Sequence, residues 1–171
     1  RLTAVPFPVQ LPLLKTLDIS NNVIGGELPA AISGMTMLAV LRINNNTMTG
    51  SLPPFTGFSK LTFFECSNNN FSGVPPLFEH STELLELGMS QNAFGPLLPE
   101  WRALGKVEVV NLQHNHIACP FYQGFAWMVN LLAVDLSYNN LSLPSLKPGY
   151  TDDNAGGIVF ASFGGSPELL R

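Results

Sequence analysis

From residue 14 to residue 141 the apolar positions obey one template: leucine or a similar residue at places one, four, six and eleven, and asparagine at place nine. The template starts at Leu14, Leu38, Leu61, Leu84, Val107 and Leu131, so the intervals are 24, 23, 23, 23 and 24 residues. Inside each copy the apolar places alternate, as in Leu17 and Ile19 or Val110 and Leu112, which is the period of a strand with one buried face. Each copy predicts one short parallel strand. A unit of about 23 residues is too small to bury its own apolar face, so units must stack and share a core. The inward line expected from that stack is Ile19, Ile43, Cys66, Met89, Leu112 and Leu136.

The asparagine at place nine falls at Asn22, Asn46, Asn69, Asn92, Asn115 and Asn139. An amide carries two donors and an acceptor, so a column of six can satisfy turn backbone that stacking would otherwise bury unpaired. The closing apolar residue is Ile24, Met48, Phe71, Phe94, Ile117 or Leu141. Beyond it come "IGGELP", "MTGSLP", "FSGVPP" and "FGPLLP", while the fifth copy has "ACPFYQGF" instead and the sixth lacks the glycine.

On these residues the chain resembles leucine-rich-repeat proteins over Leu14 to about Pro144, and the glycine-proline halves resemble the plant-type extracellular subclass. The segment "LLPEWRALGKVEVVNL" also resembles the leucine-rich surface antigens and proteophosphoglycans of trypanosomatid protozoa. The resemblance implies an α/β solenoid: a short curved stack with a parallel sheet on its concave face and turns or short helices on its convex side. It also implies an extracellular or cell-surface location. At about 4.8 Å between strands, six units span about 24 Å, so the two ends form a large share of the surface.

Residues 1–13 read as a partial N-terminal repeat, 14–144 as six repeats, and 145–171 as a C-terminal cap or tail with an extra strand over 158–163. That strand either closes the sheet against the sixth unit or adds to a neighbouring molecule. The first strand has an open edge. Leu14, Leu17, Ile158, Phe160 and Phe163 are therefore the candidates for self-association.

Charge alters the picture by exclusion. Charged residues are 12% of the chain, against roughly 25% in an average soluble protein. The net charge is −4, with no lysine or arginine cluster, which argues against nucleic acid as a partner. No apolar run reaches the roughly 18 residues needed to span a bilayer. The chain opens on Arg1 rather than Met, which points to a processed or excised piece.

Sequons for N-linked glycans stand at Asn45, Asn70 and Asn140, each beside a ladder asparagine, and sugar there would offset the scarcity of charge. Cys66 lies on the inward line and Cys119 two units further on the return half. Two strand spacings, about 9.6 Å, exceed the roughly 7 Å limit for a bridge, so no disulfide is expected between them. His114 and His116 flank Asn115 with no acidic or cysteine pair to complete a metal shell. Cys119 beside them lacks the pocket that nucleophilic catalysis needs. No phosphate loop is present. The expectation is an interaction protein, with no enzymatic activity and no cofactor.

Outward strand places form rows across the predicted concave face. The first runs Thr16, Val40, Phe63, Glu86, Val109, Ala133, and the second Asp18, Arg42, Glu65, Gly88, Asn111, Asp135. A third, Ser20, Asn44, Ser67, Ser90, Gln113 and Ser137, is small or amide-bearing and reads as further contact surface. The candidate binding residues are Asp18, Val40, Arg42, Phe63, Glu65, Glu86, Val109 and Asn111, with Phe63 as the anchor. Two functions fit: a self-associating, glycosylated surface-coat or filament subunit, which is favoured, and a receptor ectodomain binding a protein ligand on its concave face.

Overall fold

The computed structural model describes residues 3, 11–118 and 125–141, and the backbone of 160–162. Its strands are β1 (Thr16–Asp18), β2 (Gly25–Gly26), β3 (Val40–Arg42), β4 (Thr47–Gly50), β5 (Phe63–Glu65), β6 (Asn70–Gly73), β7 (Glu86–Gly88), β8 (Ala93–Phe94), β9 (Val109–Asn111), β10 (Ala133–Asp135) and β11 (Phe160–Ser162). They form two parallel sheets on a β-solenoid. The larger, in the order β1-β3-β5-β7-β9-β10-β11, lines the concave face, and the smaller, β2-β4-β6-β8, runs beside it. Pairing is in step with the repeat: Thr16 lies opposite Val40, Val40 opposite Phe63, Phe63 opposite Glu86, Glu86 opposite Val109, and Val109 opposite Ala133.

The inward line is buried throughout, from Ile19 at 9% exposure to Leu136 at 0%. A second line, Leu41, Phe64, Leu87, Val110 and Val134, and the closing residues Ile24, Met48, Phe71, Phe94, Ile117 and Leu141 complete the shared interior. On the convex side Ala30–Gly34 forms a 3₁₀ turn. The convex filling is aromatic, with the Phe55 ring meeting Phe58, Phe64 and Phe78 edge-on at centroid distances of 4.9, 5.1 and 5.1 Å. Trp101 of the "LPEW" segment is fully buried, and its Nε1 donates to the Pro76 carbonyl at 2.8 Å. Neighbouring convex turns approach closely at Gly57, where a Cβ would stand 1.9 Å from the Ser33 carbonyl oxygen.

The asparagine column stitches unit to unit. Asn115 Oδ1 accepts from Phe94 N at 2.9 Å, while its Nδ2 donates to Met89 O and Leu112 O, each at 3.0 Å. Asn46, Asn69, Asn92 and Asn139 repeat this arrangement with their own neighbours. The residue just before each ladder asparagine turns the chain through a left-handed conformation: Asn21, Asn45, Asn68, Gln91, His114 and Tyr138 have φ between 52° and 57°. Asparagine tolerates that region better than most residues, which explains the paired asparagines of the early units. These six side chains form a second, exposed column outside the first. Asn45 Nδ2 donates to Asn21 Oδ1 at 2.9 Å and Asn68 Nδ2 to Asn45 Oδ1 at 2.8 Å. Further along, the His114 and Tyr138 rings stack at 4.1 Å and 5°.

At the N-terminal end Leu14 and Leu17 are half-buried and pack against the core, and among the described residues β1 pairs only with β3. Upstream of β1 the Thr3 carbonyl accepts from Gly25 N at 3.4 Å. At the other end β11 pairs in parallel with β10 of its own chain, Phe160 opposite Ala133. Ile158 and Phe163 lie outside the described residues.

Candidate functional site

The strands hold the first two outward rows side by side on the concave face. Toward its N-terminal edge, on the second and third of the seven strands, the Arg42 guanidinium lies over the Phe63 ring, 4.4 Å from the centroid. Both are half-buried. Arg42 forms no ion pair among the described residues, so its fixed fork of donors faces the concavity unspent. Gly88 opens space beside them: a Cβ there would lie 2.0 Å from Glu65 Oε2, so the missing side chain is what lets the Glu65 carboxylate lie across the face.

Much of the second row has a structural task that the sequence did not disclose. Asp18, Glu65, Asn111 and Asp135 each accept from the backbone N–H two residues on, at 3.0, 2.8, 3.2 and 2.9 Å. These bonds cap the strand exits. The hydroxyl and backbone N–H of Ser20 hold the Asp18 carboxyl below its usual pKa, and the nearby Arg42 charge adds a smaller push in the same direction. In this row Arg42 is the long side chain left to reach a ligand.

Of the third row, expected as further contact surface, Ser20, Asn44 and Gln113 are half-buried and the other three members are closed off. Ser67, Ser90 and Ser137 are buried, and Ser90 donates from both N and Oγ to Ser67 Oγ, each at 2.9 Å. These places sit where the chain leaves the sheet and curls inward, and small hydroxyls fit there because they can bond across units. Conversely, a row one place before the first was missed. Leu85 and Leu132 there are 40% and 53% exposed, with the exposed Glu108 between them, and Val109 beside them in the first row is 38% exposed, so the later units carry apolar side chains around one carboxylate. Alternation alone hides this row, since it precedes the strand proper.

Val40 is half-buried beside Phe63, and Glu86 is exposed on its other side. The three sequon asparagines are all exposed but not equivalent. Asn45 sits in the outer column with both ends of its amide engaged. Asn70 and Asn140 each follow a ladder asparagine, and their side chains bond to none of the described residues. Cys66 is a buried free thiol, pushed well above its ordinary pKa by desolvation. Cys119 lies outside the described residues. Among the described residues no three His, Cys, Asp or Glu side chains gather as a metal site, and no helix is long and apolar enough to cross a membrane.

With this geometry in hand, comparison with known proteins gives three kinds of match. The Leucine Rich Repeat family matches residues 13–35. Lumican of Gallus gallus is 30% identical over 144 residues, which are 80% of this chain and 41% of lumican, so the chain spans about two fifths of that relative. Among solved structures, the ectodomain of the Arabidopsis thaliana membrane receptor kinase GASSHO1/SCHENGEN3, in complex with CASPARIAN STRIP INTEGRITY FACTOR 2, superposes with a TM-score of 0.73 at 26% identity, covering 77% of this chain and 16% of the receptor. The Arabidopsis receptor kinase HAESA, in complex with the peptide hormone IDA and the co-receptor SERK1, gives 0.62 at 25% identity, covering 93% and 30%.

Proposed function

Given that the chain is a leucine-rich-repeat protein of the plant-type extracellular subclass, located outside the cell or at its surface, we propose that it is a non-catalytic recognition module whose concave face binds an extended protein segment. The observation that carries this reading is the Arg42–Phe63 pair: a half-buried cation resting on an aromatic ring on the second and third strands of an in-register sheet, with no ion pair among the described residues. Burying a guanidinium without a partner is costly. A ligand carboxylate or backbone carbonyl would remove that cost, and the ring fixes the fork before the ligand arrives. Leu85, Val109 and Leu132, set around the exposed Glu108, supply apolar contact for a segment running across the strands. The two receptor ectodomains above, each solved with a bound factor, support the same use of this fold.

The test is selection of extended peptides from a random display library on the folded protein, followed by affinity measurement on variants. Arg42→Ala and Val109→Asp are expected to weaken selected peptides at least tenfold, while Val74→Asp, on an exposed residue outside the concave rows, leaves them unchanged. Thermal unfolding of each variant checks that the fold survives. Peptides that bind all three variants equally would overturn the reading.

A second reading, self-association into a coat or filament, draws on the open side of β1, with Leu13 81% exposed next to it. Light scattering that finds only monomers at millimolar concentration removes it. N-linked sugar at one or more of Asn45, Asn70 and Asn140 belongs to either reading. Asn70 and Asn140 are the sites at which a sugar displaces no hydrogen bond to a described residue.

A further inference from the structure

Charge is spread unevenly over the concave face. On its first two units the outward places and the row before them hold Lys15, Asp18 and Arg42, two bases and one acid. On the third to sixth units the same places hold Glu65, Glu86, Glu108 and Asp135, with no lysine or arginine. Four of the chain's 12 acidic residues therefore fall on one side of four neighbouring strands, in a protein that is only 12% charged. None of the four enters an ion pair among the described residues, whose two pairs are Arg102–Glu100 and Lys106–Glu83.

The four are not equivalent. Glu65 and Asp135 are half-buried, and each accepts from the backbone N–H two residues on, so they add charge to the face more than they reach from it. Glu86 and Glu108 are exposed, and no hydrogen bond ties either carboxylate down. Glu86 lies in β7 opposite Phe63 on one side and Val109 on the other, while Glu108 N donates to Leu85 O at 2.9 Å. The two carboxylates thus stand one strand apart and one residue along, about 6 Å at the backbone, among the exposed Leu85 and Val109.

We infer that the segment bound on the concave face is basic over these units: an extended stretch with at least two lysine or arginine side chains that meet Glu86 and Glu108, and an apolar residue that meets Leu85 and Val109. Like charges gathered on one surface repel one another, and a cationic partner relieves that repulsion while acidic partners are turned away. Alternate side chains of an extended segment point the same way about 6.6 Å apart, close to the step between the two carboxylates. Arg42 sets the direction. It repels a base and takes an acceptor, so the acidic group or free carbonyl of the segment lies at β3 and its bases lie beyond β5. The inference rests on the recognition reading above and adds to it the chemical class of the ligand.

The experiment uses the folded chain and the random display library already described. The peptides that Arg42→Ala or Val109→Asp weakens are the ones bound on the concave face, and their sequences are expected to hold more lysine and arginine than the unselected library. The double variant Glu86→Gln/Glu108→Gln keeps side-chain size and removes two charges. It is expected to weaken these peptides about three- to thirtyfold, the scale of two surface charge pairs. Association to wild type should slow as salt rises from about 0.05 to about 0.5 M, and this dependence should shrink in the double variant. Glu65 is left intact because its carboxylate also holds the Ser67 N–H. Glu79→Gln, on an exposed residue outside the concave rows, is expected to change nothing. Thermal unfolding checks that each variant is folded. Concave-face peptides that are not enriched in bases, or that bind wild type and the double variant equally, overturn this inference and leave the recognition reading standing. Peptides that neither Arg42→Ala nor Val109→Asp weakens overturn the recognition reading, and the inference with it.

Discussion

Substituting Asn115 by alanine tests the stacking physics at one side chain. The change removes a single amide: the Phe94 N–H behind it in the stack loses its partner, while the Met89 and Leu112 carbonyls each lose one bond and keep Asn92 Nδ2 at 3.3 Å and Asn139 Nδ2 at 2.8 Å. Asn115 is only 5% exposed, so water replaces these partners poorly. An orphaned buried backbone group costs about 1–3 kcal/mol. The two carbonyls lose one bond of two, about 0.5–1 kcal/mol apiece, so the summed loss is about 2–5 kcal/mol. For a chain of this length each kcal/mol corresponds to about 2–4 °C of Tm, and the fall should be at least about 4 °C. The assay is urea unfolding followed by circular dichroism, with Cm and m both fitted, because a change in m would reveal that units had uncoupled. Asn45→Gly is the matched control. It deletes an amide from the exposed outer column while keeping the left-handed turn, and it should cost less than about 1 kcal/mol. A loss below 1 kcal/mol for Asn115→Ala, or equal losses for the two variants, would refute the claim that the inner column carries the stack.

Three further outcomes follow from the same coordinates. Gln91 holds a left-handed φ of 52° next to Asn68 in the outer column; Gln91→Asn should raise stability by about 0.5–1 kcal/mol by easing the turn and extending the amide column, and a lowered Cm would contradict this. Gly57→Ala places a Cβ against the Ser33 carbonyl and should cost about 1–3 kcal/mol, measured by the same unfolding. Burial raises the Cys66 pKa and so keeps the thiol protonated; mass spectrometry should find it unalkylated by iodoacetamide at pH 8 in the native protein and fully alkylated in urea.

The sequence disclosed the stack because repetition amplifies a weak local pattern. A three-residue strand such as Leu41 between Val40 and Arg42 says little alone, yet six copies in step fix strand, facing and register together. The inner asparagines were legible for the same reason. The outer column was not, because its members are chemically unlike: Asn21, Asn45 and Asn68 share with Gln91, His114 and Tyr138 only a backbone dihedral. The concave rows were legible as positions but not as roles. Nothing in the string separates Asp18 or Asp135, which cap backbone N–H groups, from Arg42, which does not, since both kinds look like outward polar residues. The inward turn of Ser67 and Ser90 depends on the curl of the chain at the sheet edge, which a period of two does not describe. The convex phenylalanine cluster lies in the halves where the repeat is loosest, so its packing was invisible to alignment of the copies.

The most direct test of the recognition reading is nuclear magnetic resonance of the folded protein titrated with a peptide selected on it. The account predicts that the Arg42 Nε–H resonance and the methyls of Val40, Val109 and Leu85 move together and saturate at one affinity, while those of Val74 and Leu13 stay in place. Changes confined to the convex turns, or to Leu14 and Leu17 at the open end, would contradict it.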